Sequence, residues 1–405
     1  MGEERKRLTV NCGLACLLSD RENILDNYDQ VTINSGKVIV SSAIYSKLSA
    51  KGANINSGDL RIRDIKGEII QLDNGAVIDT NTSLKDLFAI AMDNVLVKKG
   101  GIKALEEAEG LIALGTIYYP ESSDLSSLIK AAGEKKPYPD DAQIILGDHQ
   151  LESIAANIRG PSHIWVSGRV TALEKSPLEK LKAQKCTISC GRFFTYEGLN
   201  SEYGDLVNCA SRILVPDGYE ITAKIREGEL AVHEKKLYVD GSFTMNEEDI
   251  PALEELEGII VKGKASLPSS ASKIFRSKGK ADEYFIYEGR LIEVNGLEQF
   301  SHSQLVSASG KTKLTFLVNG CLFFDDDVTP EDIDNIASIY YNGAVLISGP
   351  AKSELGRKVK TGNGFMGDPA LMEERAGISI KDFLSQKDPD DPNSSSINIG
   401  TYILA

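Results

Sequence analysis

The chain has 405 residues, of which 41% are hydrophobic and 26% charged, so it is long enough for several domains and has the composition of a folded protein. Its 45 basic and 59 acidic residues give a formal net charge of −14, which argues against nucleic acid or an anionic membrane surface as the main partner. The sequence contains neither an apolar run long enough for a membrane helix nor an apolar signal core after its charged start. We therefore predict a cytoplasmic protein without membrane insertion.

A short pattern recurs along the chain: an apolar residue, a pair such as Asn-Gly, and then alternating apolar residues. Examples are INSGKVIV from Ile33, LVNGCLFF from Leu317 and YYNGAVLI from Tyr340. Glycine tolerates positive φ, and a neighbouring Asn or Asp can bond the backbone, so the pattern predicts a structural turn at each glycine. The predicted turn residues are Gly13, Gly36, Gly58, Gly115, Gly168, Gly191, Gly241, Gly263, Gly320 and Gly343.

The spacing of these positions predicts a repeat architecture. Five pairs with nearly equal internal spacing recur at nearly equal intervals: Gly13 with Gly36, Asn94 with Gly115, Gly168 with Gly191, Gly241 with Gly263, and Gly320 with Gly343. A short helical pattern lies between the members of each pair, at residues 22–28, 102–110, 177–183, 250–258 and 330–337.

A strand and helix unit of this size cannot bury its own apolar face, so neighbouring units must stack. We predict a mainly β repeat solenoid with short helices (α+β) that forms one elongated domain over residues 1–385. Its five tandem repeats are expected at about 8–87, 88–162, 163–235, 236–313 and 314–385, with a period of roughly 73–81 residues.

In its period and its alternation of strand and helix, the chain resembles the leucine-rich repeat family. It departs from that family because it lacks the regular leucine ladder and places Asn-Gly before the alternating apolar residues of the strand. The resemblance therefore implies a solenoid shape, and it implies neither a partner nor a binding face. A parallel β-helix of the bactofilin type is similar in its repeated glycine turns, although its coils do not regularly contain helices.

The C-terminal region predicts a flexible linker and one further strand. The linker, residues 386–396, is rich in Pro, Asp and Ser, and residues 397–405 read INIGTYILA. This apolar strand is expected either to cap the last coil of its own solenoid or to extend the sheet of a neighbouring molecule. The first repeat begins close to Met1 and leaves little room for a cap, which also favours assembly of copies. The candidate interface residues are Ile397, Ile399, Tyr402, Ile403 and Leu404.

The chain has few cysteines and histidines that could bind a metal or a cofactor. Four of the six cysteines form two pairs spaced four apart, which is not the spacing of a zinc site, and we interpret all six as small buried thiols. The four histidines are scattered singly. We therefore predict no metal ligand and no cofactor-binding residue.

Three other motifs have simpler explanations than catalysis. The segment SASGKTKL (307–314) resembles a phosphate loop, but Leu305 stands where that loop needs glycine. Ser127 with Lys130, and Ser270 with Lys273, have the S-x-x-K spacing, but they recur in the same connector of different repeats. The acidic residues of 325–334 lack the ligand spacing of a calcium loop and are expected to favour a helix N-terminus and solvate one face.

Aromatic pairs follow several of the repeat glycines. They are Tyr118 with Tyr119, Phe193 with Phe194, and Phe323 with Phe324. Since neighbouring strand residues point to opposite faces, one member of each pair is expected in the core and the other exposed.

The sequence thus favours a non-enzymatic structural or protein-interaction scaffold that self-associates through its solenoid ends or its C-terminal strand. The predicted partner is protein, namely another copy of this chain, and we identify no catalytic residue. The alternative is a carbohydrate-binding or carbohydrate-active parallel β-helix, in which acidic residues on successive coils line a groove. Asp240, Asp325 and Glu174 lie near comparable strand ends and are the candidates for such a groove.

Overall fold

The computed structural model describes residues 6–20, 23–123, 130–310, 312–371 and 394–404. These residues form mostly parallel β-sheets with short helices, as expected for a mainly β chain of the α+β class. All strand pairs with a defined register are parallel. A parallel pair needs a crossover, which is why a helix or helical turn separates many of the strands.

Five sheets follow one another along the chain. The first contains β1 (Arg7–Leu17), β2 (Gln30–Ser41) and β3 (Asn54–Arg63). The second contains β4 (Glu68–Leu72), β5 (Val77–Ile78), β6 (Leu87–Ala91), β7 (Val95–Val97), β8 (Gly110–Pro120) and β9 (Ala131–Tyr138). The third contains β10 (Gln143–Ile145), β11 (His149–Gln150), β12 (His163–Ala172), β13 (Thr187–Tyr196) and β14 (Val207–Val215).

The fourth sheet contains β15 (Glu220–Thr222), β16 (Lys236–Val239), β17 (Phe243–Thr244), β18 (Gly258–Pro268) and β19 (Gly279–Tyr287). The fifth contains β20 (Arg290–Phe300), β21 (Leu314–Phe324), β22 (Ile336–Leu346) and β23 (Val359–Gly367). The last strand, β24 (Ser394–Leu404), belongs to the first sheet.

The helices lie in the connections. They are α1 (Ser42–Ala50), α2 (Ile102–Glu107), α3 (Leu151–Asn157), α4 (Lys175–Gln184), α5 (Glu197–Tyr203), α6 (Ile250–Glu255), α7 (Ser269–Lys278), α8 (His302–Ser309) and α9 (Ala351–Lys358). Three of the five predicted helical segments are confirmed as α2, α4 and α6. The segments predicted at 22–28 and 330–337 contain short 3₁₀ turns, Ile24–Asn27 and Asp332–Asn335.

The chain divides into two compact units. The first consists of Met1–Thr195, Glu202–Ile213 and Gln386–Ala405, and the second of Tyr196–Ser201 and Leu214–Ser385. Each unit has its own cores, which lie against the sheets. The five predicted repeats stay a prediction. The predicted boundary between the linker, 386–396, and the terminal strand, 397–405, is wrong by three residues, because β24 begins at Ser394; residues 386–393 lie outside the described residues.

The repeat glycines lie mostly within strands. Nine of the ten predicted turn residues are inside a strand, and Gly241 lies in a bend between β16 and β17. The expectation that these glycines form turns between elements is therefore wrong. The strand continues through the glycine, because the residues before and after the glycine both pair with the neighbouring strand. In β1, Leu8 and Val10 face the core before the glycine, whereas Ala15 and Leu17 face it afterwards, so the inward alternation shifts by one residue there.

The glycines of the fifth sheet stack on one another. Gly320 has φ +145° and Gly343 has φ +140°, and residues other than glycine rarely adopt such backbone angles. A Cβ on Gly320 would meet the carbonyl oxygen of Gly296, and a Cβ on Gly343 would meet that of Gly320. These positions therefore require glycine for conformation and for space.

Both faces of several strands are covered. Five of the six paired aromatic side chains are buried, namely Tyr118, Tyr119, Phe193, Phe194 and Phe324, while Phe323 is half-buried. The expectation that one member of each pair is exposed is therefore wrong for the first two pairs. Trp165 covers Tyr118, with 5.6 Å between ring centroids, and the Arg169 guanidinium lies 3.9 Å from the ring centroid of Phe194.

Three lysines reach back to backbone carbonyls at or near the end of the preceding helical segment. The bonds run from Lys51 Nζ to the Tyr28 carbonyl (3.0 Å), from Lys130 Nζ to those of Glu106 and Ala108 (2.9 and 2.8 Å), and from Lys278 Nζ to those of Glu254 and Leu256 (2.6 and 2.7 Å). The partners are 22 to 24 residues apart in the chain. An ammonium there satisfies carbonyls that the helix end leaves without an intrahelical partner, and so ties successive connections together.

Replacing Gly320 with alanine should destabilise the protein by about 1–3 kcal/mol or more, because alanine adds strain at positive φ and the Cβ meets a backbone carbonyl. Gly356→Ala is the matched control, since that exposed helical glycine has open space around it and alanine favours helix. Urea denaturation monitored by circular dichroism measures both changes. Equal midpoints for the two variants would contradict the stacking requirement.

Candidate functional site

The terminal strand pairs with the first strand of the chain. β24 runs parallel to β1 with a register from Arg7↔Ser394 to Leu17↔Leu404. Beyond the ladder, the backbone N–H groups of Leu18 and Ser19 donate to the Leu404 carbonyl at 2.7 and 3.1 Å. This corrects the expected cap on the last coil, because the fifth sheet ends in β23 and β24 lies at the edge of the first sheet.

A one-residue detail of sequence explains this choice of sheet. In the first sheet one residue separates the asparagine from the glycine, whereas in the fifth sheet they are adjacent. The first type occurs at 11–13, 34–36, 56–58 and 398–400, and the second at 295–296, 319–320, 342–343 and 363–364. The terminal strand thus carries the spacing of β1, β2 and β3, and in the register its Asn398 faces Asn11. Both spacings fit the general pattern of an asparagine near a glycine, so only the one-residue difference between them carries this signal.

The asparagines of the first sheet form a ladder. Asn34 Nδ2 donates to Asn11 Oδ1 at 2.8 Å, and Asn56 Nδ2 donates to Asn34 Oδ1 at 2.8 Å. A slip of one residue would break these bonds and turn core side chains outward, so the ladder fixes the register.

Apolar burial holds the end of the terminal strand. All five candidate interface residues lie in β24, and among the described side chains Leu404 is buried in the core of the first sheet and Tyr402 is half-buried beside it. Burial raises the pKa of Tyr402, and nearby Tyr28 adds to the effect. The side chains of Ile397, Ile399 and Ile403 lie outside the described residues.

The two outer strands of this sheet differ in charge. β3 carries Asp59, Arg61 and Arg63, and an ion pair of 3.0 Å joins Arg61 to Asp59. β24 contains no charged residue and no proline in its sequence. Charges and prolines are the usual protection of an outer strand against pairing with another chain, so β24 is the less protected one.

The acidic run after β21 connects to the helix α8. Asp325 Oδ1 accepts from Gln299 Nε2 at 2.5 Å, and Asp327 Oδ1 accepts from the His302 backbone N–H at 3.0 Å. Asp332, with a side chain 5% exposed, lies 2.8 Å from His302 Nδ1 and also accepts from the hydroxyl of Thr329 at 2.9 Å. These carboxylates therefore have local partners.

The His302–Asp332 pair shifts both groups. The hydrogen bond to Asp332 raises the pKa of His302. Burial alone would raise the pKa of Asp332, but the bonds from His302 and Thr329 outweigh it and hold that pKa below its ordinary value. The charged pair is thus favoured in the folded state.

Stability should consequently depend on pH through this pair. The raised pKa of His302 gives a contribution that is complete below its ordinary pKa of about 6.5 and is lost as pH rises through the raised value. The lowered pKa of Asp332 gives a contribution that is lost as pH falls through that value. We expect His302→Gln to remove the loss on the alkaline side, as measured by urea midpoints across pH. The control is His149→Gln, whose ring contacts the Leu146 carbonyl; an unchanged pH profile for His302→Gln would contradict the assignment.

The cysteines show no sign of metal or nucleophile chemistry. Cys16, Cys186 and Cys190 are buried, and Cys12, Cys209 and Cys321 are half-buried. Burial raises the pKa of Cys16 to about 11 and that of Cys190 to about 12, which disfavours the reactive thiolate. Within the described ranges, no group of three or more His, Cys, Asp or Glu side chains suits a metal ion.

The remaining motifs are dispersed. Glu174, Asp240 and Asp325 follow strands of three different sheets, which gives no support to a shared acidic groove. Ser270 and Lys273 lie in α7, and Ser270 Oγ contacts Glu247 at 3.3 Å; Ser127 lies outside the described residues. Gly310, from the segment that resembles a phosphate loop, ends α8.

Histidines that looked isolated in sequence acquire acidic neighbours in the fold. His163 lies 3.7 Å from Asp141, and His233 lies 2.9 Å from Glu220. Asp141 precedes His163 by close to the offset that separates paired strands, such as Gln143 from its register partner Ile164. That offset is the sequence signal that links them.

Comparisons with protein-family models, with curated proteins and with solved structures find no match. Among the helices of the described residues, none has the length and apolar character that a membrane crossing requires.

Removing the central rung of the asparagine ladder should cost about twice as much as removing an outer one. Asn34→Ala loses two side-chain bonds and Asn56→Ala loses one, at about 1 kcal/mol for each bond. Urea denaturation of the two variants gives the ratio. Equal losses would mean that the amide bonds do not carry the effect.

Proposed function

We propose that this chain is a β-solenoid scaffold that self-associates by exchanging its terminal strand between copies. Asparagine bonds across neighbouring strands join residues 23 and 22 apart in the first sheet, and 24 and 21 apart in the fifth. Such regular offsets support coils that stack one upon another. A structural role follows from this design, since stacked coils present repeated surfaces.

The observation that carries the proposal is the pairing of β24 with β1. Their register extends from Arg7↔Ser394 to Leu17↔Leu404, and it is the same whichever copy supplies the strand. Strand exchange therefore needs no new interface, and it is an established low-cost route to dimers. The part of the predicted linker that precedes β24, residues 386–393, is rich in Asp and Pro in its sequence, which suits a tether that serves either arrangement.

The lack of charge on β24 supports the same conclusion. An outer strand with neither charge nor proline accepts further pairing, whereas β3 at the opposite edge carries Asp59, Arg61 and Arg63. This edge is therefore open to pairing with a strand of another copy, in addition to the exchange of β24 itself.

Light scattering coupled to size exclusion tests the proposal over a wide concentration range. The full chain should exceed its monomer mass of 44.0 kDa as concentration rises, and a version ending at Gln386 should remain monomeric. Circular dichroism checks that the shortened chain is folded. A full chain that stays monomeric at high concentration would contradict self-association.

A disulfide trap separates exchange from other modes of association. Thr9 and Ser396 face each other in the register, so Thr9→Cys with Ser396→Cys should cross-link on oxidation. Exchange predicts covalent dimers on a denaturing gel. Intramolecular cross-links in a protein of dimer mass would refute exchange and leave association through another surface. The two single-cysteine variants control for the six native cysteines.

A further inference from the structure

A polar group on the third sheet has the arrangement of an activated nucleophile. His163 Nε2 lies 2.8 Å from Ser189 Oγ, and His163 Nδ1 lies 3.7 Å from Asp141 Oδ1. A nucleophile within about 2.6–3.2 Å of a base that a third group orients is the diagnostic pattern of nucleophilic catalysis. Ser189 comes from β13, His163 from β12 and Asp141 from the turn after β9.

Strand geometry places this group on the outer face of the sheet. Ile164 and Val166 of β12 and Ile188 of β13 are buried in the core, so the alternate residues point the other way. His163 and Ser189 accordingly are only partly buried, and the Asp141 side chain is 81% exposed. All three side chains therefore lie at least partly in contact with solvent.

An aromatic wall borders the same face. Trp165 is the register partner of Ser189, and it packs on Tyr118 and Tyr138 with centroid distances of 5.6 and 6.1 Å. Tyr118 and Tyr138 are buried, and the half-buried Trp165 supplies the apolar surface beside the hydroxyl that suits the acyl part of an ester.

We propose that Ser189 is an acylation site for small carboxylic esters, with His163 as its general base and Asp141 as a positioning residue. Ser189 Oγ attacks the ester carbonyl carbon while its proton passes to His163 Nε2. The bond from the carbonyl carbon to the leaving oxygen then breaks, and the leaving alcohol takes the proton from His163. The products are acyl-Ser189 and the free alcohol, with the imidazole neutral again.

Asp141 orients the ring by attraction to the Nδ1–H. The present 3.7 Å between Nδ1 and Oδ1 exceeds a hydrogen bond, and the exposed aspartate can close it by rotating its side chain. This assigns Nδ1–H and an acceptor Nε2, which is the tautomer that the base needs.

Labelling with a fluorescent alkyl fluorophosphonate tests the proposal on the full chain. The serine oxygen attacks the phosphorus of this probe as it would attack an ester carbonyl carbon. A bond from oxygen to phosphorus forms, and fluoride leaves. Mass spectrometry should locate the label on Ser189, Ser189→Ala should abolish it, and His163→Gln should slow it at least tenfold. His233→Gln and Ser162→Ala are matched controls that should leave the rate unchanged, with thermal unfolding as the check on folding.

The role of Asp141 has its own readout. Asp141→Asn should slow labelling severalfold without changing the unfolding temperature, and Asp141→Glu should restore most of the rate. Label spread over other serines, or a rate that His163→Gln does not alter, would overturn the proposal and leave the Ser189–His163 contact as a structural hydrogen bond. Because the truncated and disulfide-trapped chains retain this face, failure here is distinct from failure of the scaffold proposal.

Discussion

Parallel pairing of strands that follow one another in sequence is the interaction on which the rest of this structure depends. A parallel ladder satisfies backbone groups only when the connection brings the chain back to the same end of the sheet before the next strand begins. Asparagine bonds across strands 21 to 24 residues apart record that constraint. The helices in the connections, the lysine bonds to carbonyls of the preceding connection and the stacked glycines each stabilise that pairing.

Local chemistry made much of this architecture predictable. Alternating apolar residues marked the long strands, and the apolar pattern of segments such as 102–110 and 250–258 marked the helices. The predicted positive φ is present at Gly320 and Gly343, although most repeat glycines lie within strands of ordinary φ. A glycine inside a strand and a glycine in a turn look alike in sequence, because the sequence does not show which neighbouring strands pair with the residues around the glycine.

Other features depend on contacts that no local pattern contains. Tyr118 is buried because Trp165, from another sheet, covers it, and alternation within β8 carries no information on that cover. Asp141 lies well before His163 in the chain and Ser189 lies 26 residues after it. A search for residues that cluster in sequence could therefore not find this group. The sheet to which β24 belongs was readable in principle, through the single residue between Asn398 and Gly400.

The position of β24 has a consequence for biosynthesis. β1 is translated long before its edge partner β24, which follows β23, so this edge of the first sheet waits on the order of 20–80 s at ~5–20 residues per second. During that interval the backbone groups along this side of β1 have no partner from β24. If copies exchange the strand as proposed, this edge of β1 is the place where a strand from another chain can pair during synthesis.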